Sequence, residues 1–145
     1  MAFLDSLDIS GSALTAHKFR LEVIAQNIAN SETTTNGRAY RRKLVVLSEI
    51  PNSFQKNLRD AASRLKTENK GGVEVSGILE DENAVRLEYD PDSPFANEAG
   101  YVEKPDINTV EEMIDMMSAS RAYEANVTAF NAVKRMAQKA LEIGK

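Results

Sequence analysis

His17 is the only histidine in this 145-residue sequence, and no cysteine accompanies it. Histidine catalysis needs a hydroxyl or similar group to deprotonate and a carboxylate to orient the ring, and no such arrangement can be assembled around His17. Its place beside an apolar helical stripe reads as a packed or solvated side chain. The absence of cysteine removes thiol catalysis, disulfides and thiolate metal sites together, while leaving the redox compartment open. Glu80, Asp81, Glu82, Asp90 and Asp92 are the carboxylates whose clustering could suggest calcium. Yet Asp90-Pro91-Asp92-Ser93-Pro94 lacks the loop glycine and terminal glutamate of an EF-hand, so it reads as a solvated turn. Gly71-Gly72 and Gly77 are followed neither by a helix start nor by Gly-Lys-Ser, so they fit strand ends better than a phosphate cradle. Arg38, Arg41, Arg42 and Lys43 form the one basic run, in a chain whose net charge is −4. Nucleic acid would reward a net basic face with aromatic interleaving, so a contact from Arg41, Arg42 and Lys43 to an acidic patch on a neighbouring subunit is the better reading. These residues supply no convergent acid, base, nucleophile or metal set. The sequence therefore reads as non-enzymatic, with no cofactor.

The elements that would position these residues are dominated by the two ends. Residues 3–30 read as one amphipathic helix in which Leu7, Leu14, Leu21 and Ile28 recur at every seventh position, thickened by Ile24. Gly11 in its interior costs about 1 kcal/mol relative to alanine, so the helix needs a packing partner. Ser31 to Gly37 ends it with threonines and an Asn36-Gly37 turn signal. Leu44-Val45-Val46-Leu47, within Tyr40 to Ile50, reads as a strand, and Phe54, Leu58, Ala61, Ala62 and Leu65 as a short helix over 54–65. Two more strands are expected around Val73-Val75 and Val85-Leu87-Tyr89, joined as a hairpin across Asp81-Glu82-Asn83. Asp90 to Pro105 is turn-rich, with Pro91, Pro94, Gly100 and Pro105 as punctuation.

A second long helix then begins with clear signals. Thr109 with Glu112, and Asn108 with Glu111, both have capping-box spacing, and acidic Glu111, Glu112 and Asp115 fill the first turns. The helix is expected to run to about Glu142. Met116, Tyr123, Phe130 and Ala137 repeat every seventh position along it, flanked by Met113, Val133 and Leu141.

The fold class is therefore mainly α with a small β insertion. The long terminal helices pair antiparallel as a coiled-coil-like hairpin, and a short-stranded β region lies between them. This divides the chain into a terminal helical unit, 1–30 with 109–145, and a middle region, 31–108. One register places Ile28 against Met116, Leu21 against Tyr123, Leu14 against Phe130 and Leu7 against Ala137, although a shift of one heptad preserves the pattern. Charge follows the same division. The N-terminal 30 residues hold two basic and three acidic groups, residues 31–108 eleven and fourteen, and residues 109–145 five and five. The excess negative charge thus sits in the middle, as expected if the ends are packed inside an assembly and the middle faces water.

A single hairpin buries one face of each helix and leaves residues such as Ile114 and Met117 off that face. Leaving them in water forfeits about 1.5 to 3 kcal/mol per large side chain, so other subunits are the expected cover. The expected assembly interface is Leu7, Leu14, Leu21, Ile24, Asn27, Ile28 and Asn30 from the first helix. From the second come Met113, Met116, Met117, Tyr123 and Asn126, then Phe130, Val133, Ala137 and Leu141. Asn27 and Asn30 share a helix face. Helix termination by Asn30 and a register-setting amide bond between helices are both open readings for this pair. No segment reaches the roughly 18 apolar residues of a membrane span. Residues 1–20 lack the basic start and unbroken apolar run of a cleaved secretory signal, because Asp5 and Asp8 interrupt them.

Ile24-Ala25-Gln26-Asn27-Ile28-Ala29-Asn30 resembles the N-terminal motif of bacterial flagellar rod and hook axial proteins. Leu7-Asp8-Ile9-Ser10-Gly11-Ser12-Ala13-Leu14 and Tyr40-Arg41-Arg42-Lys43 extend the likeness. Tyr89-Asp90-Pro91, Gly100-Tyr101-Val102, Pro105 to Met113 and Ser118 to Asn126 are similar to the proximal-rod (FlgC-type) subunits of that family. About residues 44–84 carry no specific match. The resemblance implies a structural subunit of the flagellar basal-body rod, whose terminal helices pack as an inner tube that transmits torque from motor to hook. It also implies other copies of the chain and other rod proteins as partners, with delivery by the flagellar export apparatus to the periplasmic rod. Neither nucleic acid nor direct membrane insertion is expected. A soluble coiled-coil adaptor or export chaperone shares the amphipathic helices but would form a discrete dimer or small complex. Relatives commonly carry a proline in the loop after Asn30 and a histidine where this chain has Ser93.

Overall fold

The computed structural model describes residues 2–50 and 71–143, with side chains from residue 5 onward. Helix α1 spans Ala2–Ala29 and helix α2 spans Thr109–Ile143. Six strands lie between them: β1 (Thr34–Thr35), β2 (Arg38–Ala39), β3 (Lys43–Glu49), β4 (Val73–Glu80), β5 (Val85–Tyr89) and β6 (Tyr101–Pro105). They pair antiparallel as β1-β2, β3-β4 and β5-β6. The expected mainly α chain with a β insertion is the observed one, and the expected helix over 54–65 lies outside the described residues.

Each helix end has a local cause. The amide N–H of Asn30 and its side-chain Nδ2 both donate to the Gln26 carbonyl, at 3.0 and 2.9 Å. Ser31 Oγ and its N–H both donate to the Ile28 carbonyl, so the last turn closes on itself and the helix stops one residue before the expected end. At the start of α2, Asn108 rather than Thr109 is the cap. Its Oδ1 accepts the Val110 N–H at 3.0 Å and its carbonyl accepts the Glu112 N–H at 3.1 Å.

The turn signal Asn36-Gly37 joins β1 to β2 with φ of 53° and 77°. Two consecutive positive φ values define the tight hairpin turn whose twist suits antiparallel strands. The other expected hairpin does not form. β4 and β5 were to pair across Asp81-Glu82-Asn83, but the Asp81 N–H donates to the Arg42 carbonyl at 2.8 Å and extends the β3-β4 ladder. Asp81 Oδ1 then accepts the Asn83 N–H at 3.0 Å, turning the chain away. β5 instead takes β6, a strand hidden in the sequence by its glycine and proline punctuation. Proline has no N–H to give a ladder, but Pro105 ends the strand opposite Val85, where that loss is tolerated.

α1 is the central element. It packs against α2 on one side and against β3 and β4 on another, while β6 rests on β1 and β2. The β3-β4 pair runs back along α1. At its far end Ser12 Oγ accepts the Val73 N–H at 3.2 Å, and at its near end Lys43 meets Asn27. Ala13, Ala16, Val23 and Ile24 of α1 and Ala119 of α2 are buried, a core rich in small side chains that lets the backbones approach closely. On β5 and β6, Glu88 accepts from Lys104 Nζ at 2.8 Å, and that bond holds its carboxyl below the usual range.

Candidate functional site

A buried polar junction forms where α1 ends, β3 begins and α2 begins. Asn27 and Glu112 are each 1% exposed. Asn27 Nδ2 donates to the Lys43 carbonyl at 2.9 Å and to Glu112 Oε2 at 3.0 Å. Asn27 Oδ1 accepts the Lys43 N–H at 3.0 Å and the Tyr40 hydroxyl at 3.1 Å. Both amide hydrogens and both oxygen lone pairs are therefore used, which is what a buried amide requires. Glu112 Oε1 accepts from Arg42 Nε at 2.6 Å and lies 2.5 Å from Nη2, a two-pronged guanidinium–carboxylate contact. Arg42 Nη2 also approaches Asp115 at 3.7 Å.

The expectation for Arg41, Arg42 and Lys43 divides on this geometry. Arg42 is spent inside the chain on Glu112 and Asp115. Lys43 gives its backbone to Asn27 and sets its ammonium 5.5 Å from the centre of the Tyr40 ring. Arg41 is exposed and, among the described residues, makes no ion pair. Asn27 makes the interhelical amide bond that was one of its two readings, and it does so within one chain. Asn30 terminates α1.

Burial raises the Tyr40 phenol above its ordinary value of 10.0, and the negative charges of Glu80 and Glu112 act in the same direction. The unfolded chain ionises at the ordinary value, before the folded one can. The Tyr40 contribution is thus complete below about pH 10 and is lost as pH rises through the higher folded value. Tyr40→Phe should flatten the alkaline fall in stability, while costing about 1 kcal/mol at neutral pH for the lost bond to Asn27. Unfolding midpoints between neutral pH and pH 11 measure both. An unchanged alkaline slope in the variant would refute the assignment.

The remaining expected interface residues fall into two groups. Leu7, Leu14, Leu21 and Ile28 of α1 are half-buried, with Ile24 fully buried, as are Met116, Tyr123, Asn126, Phe130, Val133 and Ala137 of α2 at an intermediate level. Met113, Met117 and Leu141 are exposed, the first two at 53% and 55%. Val110 and Ile114 continue that outward stripe at helical spacing. Glu112 was read only as a cap signal. The clue to its burial was positional, since it precedes Ala119, Asn126 and Val133 by multiples of seven and so stands on the seam.

The other polar candidates are not drawn into a site. His17 is half-buried and its Nδ1 is enclosed with no hydrogen-bond partner. Among the described residues, no three His, Asp or Glu side chains are arranged to hold a metal ion. No described helix is long and apolar enough to cross a membrane.

Two family models match the chain, and they match its ends. One, described as flagella basal body rod protein, covers residues 7–36, and the other, flagellar basal body rod FlgEFG protein C-terminal, covers 98–143. The flagellar basal-body rod protein FlgC of Bacillus subtilis is 47% identical over 152 residues, with all of both chains covered. The chain belongs to the FlgC family of flagellar basal-body rod proteins. FlgC of Escherichia coli O6:H1 is 42% identical with full coverage of both chains. FlgC of Borreliella burgdorferi is 39% identical, with 99% of this chain and 98% of the relative covered. The chain is accordingly a structural protein of the basal-body rod and not an enzyme, and the basal body is where it resides. The two family models cover Asn27 and Glu112 of the junction, on α1 and α2, while Tyr40, Arg42 and Lys43 lie between them.

Proposed function

We propose that this FlgC-family chain builds the rod by packing its helices against further copies of itself and against other rod proteins. The helical unit, 1–30 with 109–145, forms the inner wall of a tube, and residues 31–108 lie outside it. The observation that carries this reading is the outward stripe Val110, Met113, Ile114 and Met117. It runs along α2 and is left in water by every described element. A flexible, Met-containing apolar stripe suits neighbours that are related but not identical. Head-to-tail contacts of this kind close into rings or continue as helical filaments, and a filament of packed helices transmits torque. Arg41 supports the same reading as an outward cation available to a neighbour's carboxylate. Delivery is by the flagellar export apparatus into the periplasm, for which a chain of marginal isolated helices is suited.

The direct test is a strain lacking this chain. It should be non-motile and yield basal bodies without a completed rod, and re-expression should restore both. Complete rods in its absence would overturn the proposal.

A further inference from the structure

We infer that the Asn27–Glu112–Arg42 junction selects the register of the helix pair and, through Lys43, locks the start of β3 to that register. The apolar seams cannot make this choice. Leu7, Leu14, Leu21 and Ile28 repeat at sevens, as do Met116, Tyr123, Phe130 and Ala137. Sliding α2 by one heptad exchanges each seam residue for another apolar one and sacrifices contact only at an end. A slip in one direction brings Ala119 to Asn27. In the other direction Asn27 faces Pro105, ahead of the first residue of α2.

In both cases the buried amide loses its Glu112 partner and Glu112 is drawn away from Arg42, leaving enclosed polar groups unpaired. The observed bond joins residues whose numbers sum to 139, nearer to the 137 of the seam shifted by one heptad than to the 144 of the unshifted one. Because Asn27 binds both the N–H and the carbonyl of Lys43, the same side chain that aligns the helices also fixes where the β3-β4 pair departs along α1. A single buried polar residue specifying register among interchangeable apolar alignments is a device known from coiled coils. Here it reaches a third element as well.

The inference rests on the fold alone and not on the assembly proposed above. The chain lacks cysteine, so spin labels at Lys18→Cys and Lys134→Cys, both exposed, report one intramolecular distance in the purified full-length protein. A one-heptad slip moves one helix past the other by about 10 Å. The native chain should give a single distance. Asn27→Leu with Glu112→Leu should keep its helicity and show a second population displaced by several ångströms. Ile24→Val, which weakens the seam but leaves the junction intact, should lower the unfolding midpoint and retain the single distance. One unshifted distance in the double variant, loss of its helicity, or a mixed distribution in the native chain or in Ile24→Val would each overturn the inference.

Discussion

Arg42→Met is expected to destabilise the fold by about 3–5 kcal/mol, the usual consequence of removing one partner from a buried ion pair. The substitution leaves the Glu112 carboxylate 1% exposed, with the Asn27 amide as its remaining donor. Such a loss is a large part of the 5–15 kcal/mol that holds a typical domain together. Glu112→Leu should cost less. The Arg42 side chain is 26% exposed and keeps Asp115 at 3.7 Å, so water and a second carboxylate reach the guanidinium that remains. The double variant Arg42→Met with Glu112→Leu should recover much of the single-variant loss, because replacing both charges by apolar groups removes the desolvation penalty together with the attraction. Denaturant midpoints for the four proteins of this cycle measure the coupling. Strictly additive losses would show that the two side chains do not act as a pair.

The second large effect is expected in assembly rather than in folding. Met113→Asp with Met117→Asp places two charges on the outward stripe of α2, where both native side chains are more than half exposed. Stability of the isolated chain should change by no more than about 0.5 kcal/mol per site, the ordinary range for surface substitutions. Motility should nevertheless be abolished. Each methionine covered by a neighbour contributes about 1.5 to 3 kcal/mol, and the loss recurs at every copy that presents the stripe to a neighbour. Met113→Leu with Met117→Leu keeps the apolar face and should remain motile. Normal swimming by the double aspartate strain would show that this face of α2 stays in water within the rod.

Residue spacing made the helices legible because burial along a helix must follow its turn. The stripe through Leu7, Leu14, Leu21 and Ile28 and its counterpart through Met116, Tyr123, Phe130 and Ala137 required two long helices, and α1 and α2 follow those stripes closely. Asn36-Gly37 was legible for a similar reason, since that pair accepts two positive φ values in succession. Strand partnership was less accessible. Val73-Val75 and Val85-Leu87-Tyr89 are recognisable as strands, but their partners, β3 for one and β6 for the other, are segments whose pairing no local spacing specifies.

The junction was the least visible part. Arg42 and Glu112 each had a sufficient local explanation, as a member of a basic run and as an acid in a first turn, while Asn27 stood open between helix termination and an interhelical amide bond whose partner was not legible. Local sequence by itself determined which segments are helical and which faces are apolar, because propensity and periodicity act over a few residues. Only the tertiary structure decided that three polar side chains from distant segments would share one dry site. Their mutual bonds exist after the chain has brought residues 27, 42 and 112 together, and no spacing within any one segment encodes that meeting.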